Sequence, residues 1–345
     1  MSSTKIPRRH RTLGPALGGA AALSMLATSF GALAQADHLP IHEEVCHPDR
    51  KPAVVYFATH AIPHPFWSIV IKGAMEGARD ACLEYKWTQD VEFSPTTTVE
   101  RQEMAIAEDP DVLVITAVEP KMQQRTIQRA RDKGIPIIAI NVEDPGPDQG
   151  GLDYLVYIGG DEEKGGYAAA NQIVTRGAEP KRAACFNSFP GHVGLEARCK
   201  GFTDRMREAG VETDTLDVSG GPANAEGAIS AYLIANEDAN AFFTVSPGPE
   251  NYEVAHRLLG EHGRAEGSSL TTFDLTPYIL ENINNGTTLA AIDQQPYLQG
   301  YLASVLARTY IDWGAIPGGD ILTGPGVVNS DNVEVVIAGA KAGRR

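Results

Sequence analysis

Asp274 and Gln294 carry the side chains best suited to reading a polyhydroxylated molecule. A carboxylate accepts hydrogen bonds from hydroxyls, and a primary amide both donates and accepts. Each residue closes an apolar run. Phe273-Asp274 precedes Leu275-Thr276-Pro277. Leu289-Ala290-Ala291-Ile292 runs into Asp293-Gln294-Gln295-Pro296, after a helical segment over 278–285 that stops at Gly286. Strands that end in Asp or Gln deliver those groups to the crevice at the carboxyl edge of a parallel sheet, where open α/β folds bind ligands. The competing reading is structural: Asp274 caps the following helix and Gln294 lies in a hinge.

Few other residues offer catalytic chemistry. G-x-S-x-G, H-E-x-x-H and P-loop patterns are missing, and Gly318-Gly319 and Gly324-Pro325-Gly326 lack the strand–turn–helix context of a phosphate cradle. His60, His64 and His192 fall in loops expected at the cleft, but their wide separation favours hydrogen bonding over metal ligation, so neither metal nor cofactor is expected. Asp274 and Asp293 are the only carboxylates that would serve a secreted α/β enzyme acting on a sugar.

Phe66-Trp67 follows the first predicted strand directly. An exposed aromatic pair there stacks on the C–H face of a sugar ring. Adjacent helical positions do not share a face, so at most one of the two rings is expected to be ordinary core. The polar residues expected at strand ends are, in order, His64, Asn141, Arg198, Ser246, Asp274, Asp293 and Gln294. Arg198 falls in the first turn after a strand loop, where its planar fork of donors can bracket vicinal hydroxyls.

The elements that must position these groups follow from hydrophobic periodicity. Short apolar runs predict strands at 53–58, 91–93, 111–116, 135–141, 154–158, 182–186, 215–218 and 241–245. Between them, helices are predicted from 66 along a stripe ending at Ala81, and over 97–108 (opened by capping threonines), 121–133, 164–176, 196–209, 225–235 and 251–259. Strands alternating with helices form βαβ units and parallel sheets. The same alternation appears in both halves, giving two doubly wound α/β lobes with a cleft.

Residues 1–34 read as a secretory leader: basic Lys5, Arg8, Arg9 and Arg11, then an apolar small-residue stretch, then Ala32-Leu33-Ala34 before Gln35. The mature protein is expected to be exported, with cleavage after Ala34. Hydrophobic content of 43% and 21% charged residues are globular values. The length of 345 residues, less the leader, exceeds one comfortable core. A net charge of −15 argues against a nucleic-acid partner. The four cysteines, Cys46, Cys82, Cys185 and Cys199, show no zinc-type spacing. An oxidising compartment favours disulfides, and proximity suggests Cys46–Cys82 and Cys185–Cys199 among three possible connectivities.

Assembled in order, these pieces resemble the type I periplasmic sugar-binding proteins, the ribose-binding-like solute receptors of ABC importers. The likeness runs through His64-Pro65-Phe66-Trp67, Gly134-Ile135-Pro136 leading to Asn141, Glu196-Ala197-Arg198-Cys199-Lys200-Gly201-Phe202, Phe273-Asp274, and 289–296. The resemblance implies that Phe66 and Trp67 stack on the ligand and that Asn141, Arg198, Asp274 and Gln294 hydrogen-bond it. Ser246 stands where an Asn is common, His64 where an Asn is, and Asp293 where a small residue is. Val142 follows Asn141 where an Asp-Arg pair is familiar, so one ring-clamping arginine is missing, and Pro222 or Ala223 falls where a second-lobe aromatic is expected. The ligand is therefore expected to be a monosaccharide, polyol, cyclitol or amino sugar, not narrowly ribose.

By the same resemblance the chain crosses between lobes three times. Lobe one would comprise 40–158 with 295–322, and lobe two 159–294 with 323–345. A monomer that closes on its ligand and is recognised by a membrane ABC permease is implied. A sugar-responsive transcription regulator shares the fold, but it needs a basic helix-turn-helix where this chain has a leader. Presentation to a chemosensor is a further possibility on which the sequence is silent.

Overall fold

The computed structural model describes residues 46, 52–60, 65–88, 94–144 and 146–345. The leader expected over 1–34, His64 and the strand expected at 91–93 lie outside them.

The first sheet is built from β1 (Ala53–Ala58), β2 (Leu83–Thr88), β3 (Val112–Ile115), β4 (Ile137–Asn141) and β5 (Val156–Gly160). Helices α1 (Pro65–Asp80), α2 (Pro95–Ala107) and α3 (Pro120–Asp132) connect them. β1, β3 and β4 read as unbroken apolar runs because parallel strands are covered on both faces; Val55, Phe57, Leu113, Ile115 and Ile138 are fully buried. Each such side chain contributes roughly 1.5–3 kcal/mol of burial free energy. β2 is an edge strand that the sequence reading missed. Its Leu-Glu-Tyr-Lys-Trp-Thr alternation follows α1 without a Gly or Pro, and the turn is made instead by Cys82 at φ 49°. In α2, Pro95 opens the helix and the Thr97 and Thr98 hydroxyls donate back to the Ser94 carbonyl, so the threonines lie inside the first turn and do not cap it.

The second sheet repeats the plan. It contains β6 (Arg182–Asn187), β7 (Glu212–Asp217), β8 (Ala239–Thr244), β9 (Ser269–Phe273) and β10 (Ala290–Asp293). Its helices are α4 (Glu162–Arg176), α5 (Val193–Glu208), α6 (Pro222–Ala235), α7 (Val254–Glu261) and α8 (Pro277–Asn284). The sequence then continues through α9 (Pro296–Trp313), β11 (Ile321–Gly324), β12 (Gly326–Asn329) and α10 (Val333–Lys341).

Strand order is β11-β5-β4-β3-β1-β2 in one sheet and β12-β10-β9-β8-β6-β7 in the other. Both are doubly wound orders, which open a crevice where the connections reverse direction, beside β1/β3 and β6/β8. Every pair is parallel except β10–β12, which is antiparallel and departs from the expectation of parallel sheets throughout. Among the described residues no helix is long and apolar enough to cross a membrane.

The chain passes from one sheet to the other after β5, after β10 and after β11. These passages lie side by side. The Asp161 amide donates to the Gly324 carbonyl at 3.4 Å. A Cβ on Gly324 would meet the Asp293 carbonyl oxygen at 3.0 Å and Gln294 Cα at 3.2 Å, so only glycine lets the strands approach this closely. α9 returns to pack along α1 beneath the first sheet, where the Ser304 hydroxyl donates to the Ala74 carbonyl at 2.9 Å.

Cys185 in β6 is bonded to Cys199, with Cα atoms 5.7 Å apart. Cys199 sits in the middle of α5, not at its start as the sequence suggested. Cys46 and Cys82 are also disulfide-bonded, and no described cysteine is free.

Candidate functional site

The carboxyl ends of strands from both sheets enclose a cavity of about 100 Å³. His60, Phe66, Trp67 and Asn141 line it from the first sheet. Phe189, His192, Leu195, Arg198, Ser246, Pro247, Glu250 and Asp274 line it from the second, and Gln294 comes from the passage after β10. The structure thus brings together seven of the nine residues singled out from sequence. His64 is outside the described residues. Asp293 is not in the cavity: its carboxylate accepts the Gln295 amide at 2.8 Å and pairs with Arg345 at 2.6 Å. Strand alternation explains this, because successive side chains point to opposite faces and Gln294 takes the inward position.

Three polar side chains form a chain across the cavity floor. Asn141 Nδ2 donates to Gln294 Oε1 at 3.2 Å, and Gln294 Nε2 donates to Asp274 Oδ1 at 2.6 Å. Asn141 and Asp274 both adopt left-handed backbone, φ 69° and 67°. Asn and Asp tolerate that region better than other non-glycine residues, and such outliers concentrate at functional sites. The Tyr157 hydroxyl, fully buried, lies between the carbonyls of Asn141 (2.9 Å) and Gly160 (2.8 Å) and fixes this corner. Asp274 does not cap α8; Thr276 does, accepting from the Ile279 amide at 3.1 Å. Burial pushes the Asp274 carboxyl up to about 7, against the opposing pull of the Arg198 guanidinium and the Gln294 amide.

Arg198 lies in the second turn of α5, one turn later than the sequence suggested. Its Nε and Nη2 donate to Glu162 at 2.5 and 3.1 Å, and its Nη1 donates to the Val245 carbonyl at 2.7 Å. The guanidinium carbon sits 3.7 Å from the centroid of the Phe273 ring, a cation–π contact that holds its plane. Three of its five N–H bonds are therefore committed to the protein, leaving two for a ligand. Glu162 is 2% exposed, and burial raises its carboxyl while Arg198 pulls it down. The bidentate geometry is that of a carboxylate on a guanidinium, so the pair is ionised. Glycines make the approach possible: a Cβ on Gly166 of α4 would run into the Arg198 carbonyl, and one on Gly201 of α5 into the Glu163 carbonyl.

Phe66 and Trp67 were expected to be exposed, with at most one in the core. Both are buried, at 7% and 5%, and packed edge to face with centroids 5.2 Å apart. The β2 residue Trp87 lies 6.0 Å from Trp67 and closes that side. His60 meets the Trp67 ring edge-on at 4.9 Å and shares a 2.8 Å hydrogen bond with Thr116. His192 caps α5 by accepting the Gly194 amide on Nδ1 at 3.2 Å, which leaves the ring proton on Nε2. Burial lowers His192 to about 3 and His60 well below its ordinary range. The two rings stand 5.5 Å apart, and no described cluster of His, Cys, Asp or Glu is arranged to hold a metal. Ser246 shares a 3.2 Å hydrogen bond with Ser188, while Asn251 accepts its amide.

Sequence reasoning missed Phe189, Leu195, Pro247, Glu250 and the buried Glu162. Phe189 is an aromatic residue lining the cavity from the second sheet, whereas the resemblance expected one near Pro222 or Ala223. It lies in the 188–192 loop after a strand, so the same rule that found Ser246 would have found it. Glu162 carried no such signal, because its role depends on how closely α4 and α5 approach.

The profile of the periplasmic binding protein domain matches residues 55–315. The xylose/arabinose-binding protein XylF of Sulfolobus acidocaldarius is 27% identical over 279 residues, covering 77% of this chain and 67% of that one. The ABC transporter periplasmic-binding protein YphF of Escherichia coli is 23% identical over 245 residues, covering 66% of this chain and 70% of that one. Among solved structures, a carbohydrate transporter of Acidothermus cellulolyticus 11B in complex with myo-inositol superposes with a TM-score of 0.76 at 28% identity, covering 86% of this chain and all of that one. The strand-end cavity, the two doubly wound sheets and these matches agree: the chain belongs to the periplasmic binding protein family.

Proposed function

We propose that this protein is a periplasmic solute receptor that binds a monosaccharide, polyol or cyclitol between its two sheets and hands it to an ABC permease. The observation that carries the reading is the Asn141–Gln294–Asp274 hydrogen-bond chain, which links both sheets beneath a cavity lined by aromatic rings. Acceptors and donors alternate along it, as vicinal hydroxyls require. The relatives named for xylose, arabinose and myo-inositol bindings point to the same ligand class.

The lobes divide at the three passages, lobe one comprising 40–158 with 295–322 and lobe two 159–294 with 323–345. A ligand that touches Trp67 and Asn141 on one side and Arg198 and Asp274 on the other stabilises the closed arrangement by its differential affinity. The receptor acts as a monomer, exported with cleavage after Ala34. This reading involves no turnover; of the two carboxylates weighed from sequence as a hydrolytic pair, Asp293 is engaged by Arg345 outside the cavity, while Glu250 lines it with Asp274.

The test is a thermal-shift screen of the protein from residue 35 onward against pentoses, hexoses, polyols and inositols. A solute bound only by the folded state raises the melting temperature by mass action. One compound or a small stereochemical family should stand out. A flat response from protein first unfolded to strip bound solute, then refolded, would refute the reading.

A further inference from the structure

A site that reads hydroxyls through an arginine faces a selectivity problem, because a free guanidinium also attracts carboxylates and phosphates. The charges around this cavity address it. Arg198 is the only arginine or lysine among the described lining residues, and Glu162 holds it in a bidentate pair at 2.5 and 3.1 Å. His192 accepts a backbone amide on Nδ1, which only an unprotonated ring nitrogen can do, so it adds no positive charge. Asp274 and Glu250 face the same space. The cavity therefore offers hydrogen-bond donors with no uncompensated cation behind them.

We propose that Glu162 is a specificity-determining residue that cancels the charge of Arg198 while leaving two of its N–H donors to the ligand, so that the site takes uncharged polyhydroxylated rings and rejects uronates and sugar phosphates. This rests on the reading of the cavity as a sugar site. Glu162 acts through Arg198 and is a positioning residue. Its replacement by Gln keeps one acceptor for the guanidinium, and the Val245 carbonyl and the Phe273 ring still hold the plane. What Glu162→Gln removes is the compensating charge.

The experiment is calorimetric titration of wild type and Glu162→Gln with D-glucose and D-glucuronate, D-galactose and D-galacturonate, and myo-inositol and an inositol monophosphate. In wild type, the neutral member of whichever pair binds should exceed its anionic partner by about a hundredfold or more, as like-charge juxtaposition requires. Glu162→Gln should weaken the neutral ligand and reduce that ratio by at least about tenfold, because an uncompensated arginine now favours the anion. A merely structural role would weaken both ligands alike and leave the ratio unchanged, which overturns the proposal. Anion binding by wild type within about tenfold of the neutral partner overturns it too, and needs no variant to fold. If no neutral member binds, the sugar-receptor reading fails first, and this inference fails with it.

Discussion

Asn141 closes β4 in the first sheet, Gln294 follows β10 in the second, and 3.2 Å separates their amides. That hydrogen bond joins the two halves of the binding apparatus at the point where the chain passes between sheets. Gln294 thus lies at the passage between the sheets and lines the cavity, bonded to a strand-end residue of each sheet. Asp274 hangs on its other end, so the polar floor is preorganised and little side-chain freedom remains to be lost on binding.

Asp274 should separate stability from affinity. Asp274→Ala removes a charged acceptor, and such hydrogen bonds are worth about 1.5–3 kcal/mol, so sugar affinity should fall roughly ten- to hundredfold in calorimetry. Asp274→Asn keeps the shape and tolerates φ 67°, yet eliminates a buried carboxylate. Its ligand-free melting temperature at pH 8 should therefore exceed wild type even as affinity drops.

The pH dependence of ligand-free stability has two limbs. Asp274 titrates near 7 in the folded protein against an ordinary 3.8, so the folded chain holds a proton that the unfolded chain has lost, and stability from this group falls as pH rises from about 4 through 7. His192, near 3, and His60, also lowered, work the other way. The unfolded chain takes up protons below 6.5, and stability falls as pH drops from 6.5 toward 3. Burial also raises Glu143, Asp144, Glu162, Glu250 and Asp293, which oppose the histidines on the acid side. The alkaline limb isolates Asp274, and there melting temperature should decline gently from pH 6.5 to 8. Asp274→Asn should flatten the alkaline limb in a differential-scanning series.

Trp67 is as much core as cavity wall. Trp67→Ala should cost about 3–5 kcal/mol in urea unfolding, the usual range for a large buried ring. Trp67→Phe should recover most of that loss while still weakening the ligand, and equal stability for Ala and wild type would refute the packing account.

The Cys185–Cys199 bond closes a loop of 14 residues between β6 and α5. Its removal by Cys185→Ala with Cys199→Ala should cost about 3 kcal/mol by loop-closure entropy. Affinity measured far below the melting temperature should change little, because Glu162 and Val245 fix Arg198 independently.

Much of this architecture was legible in sequence because parallel strands buried on both faces are written as apolar runs, and β1, β3, β4, β8 and β10 are such runs. β2 and β7 are edge strands with polar faces. β2 was missed because the stop signal of α1 is a cysteine in left-handed conformation, not a glycine. Cavity-lining residues at strand ends were readable from position alone: Asn141, Ser246, Asp274 and Gln294 each follow or close an apolar run. Asp293 was not separable from Gln294, since alternation decides which neighbour faces inward only once the register is known. Glu162 was invisible, because it reaches Arg198 only through the close glycine contact between α4 and α5.

The most direct test of the central claim is calorimetric titration of protein unfolded, stripped of bound solute and refolded, with D-xylose, L-arabinose, D-glucose, D-galactose and myo-inositol. Saturable one-to-one binding of at least one of these, lost in Asp274→Ala, is the predicted result. No saturable heat from any of them, in refolded protein that keeps its original melting temperature, would contradict the account.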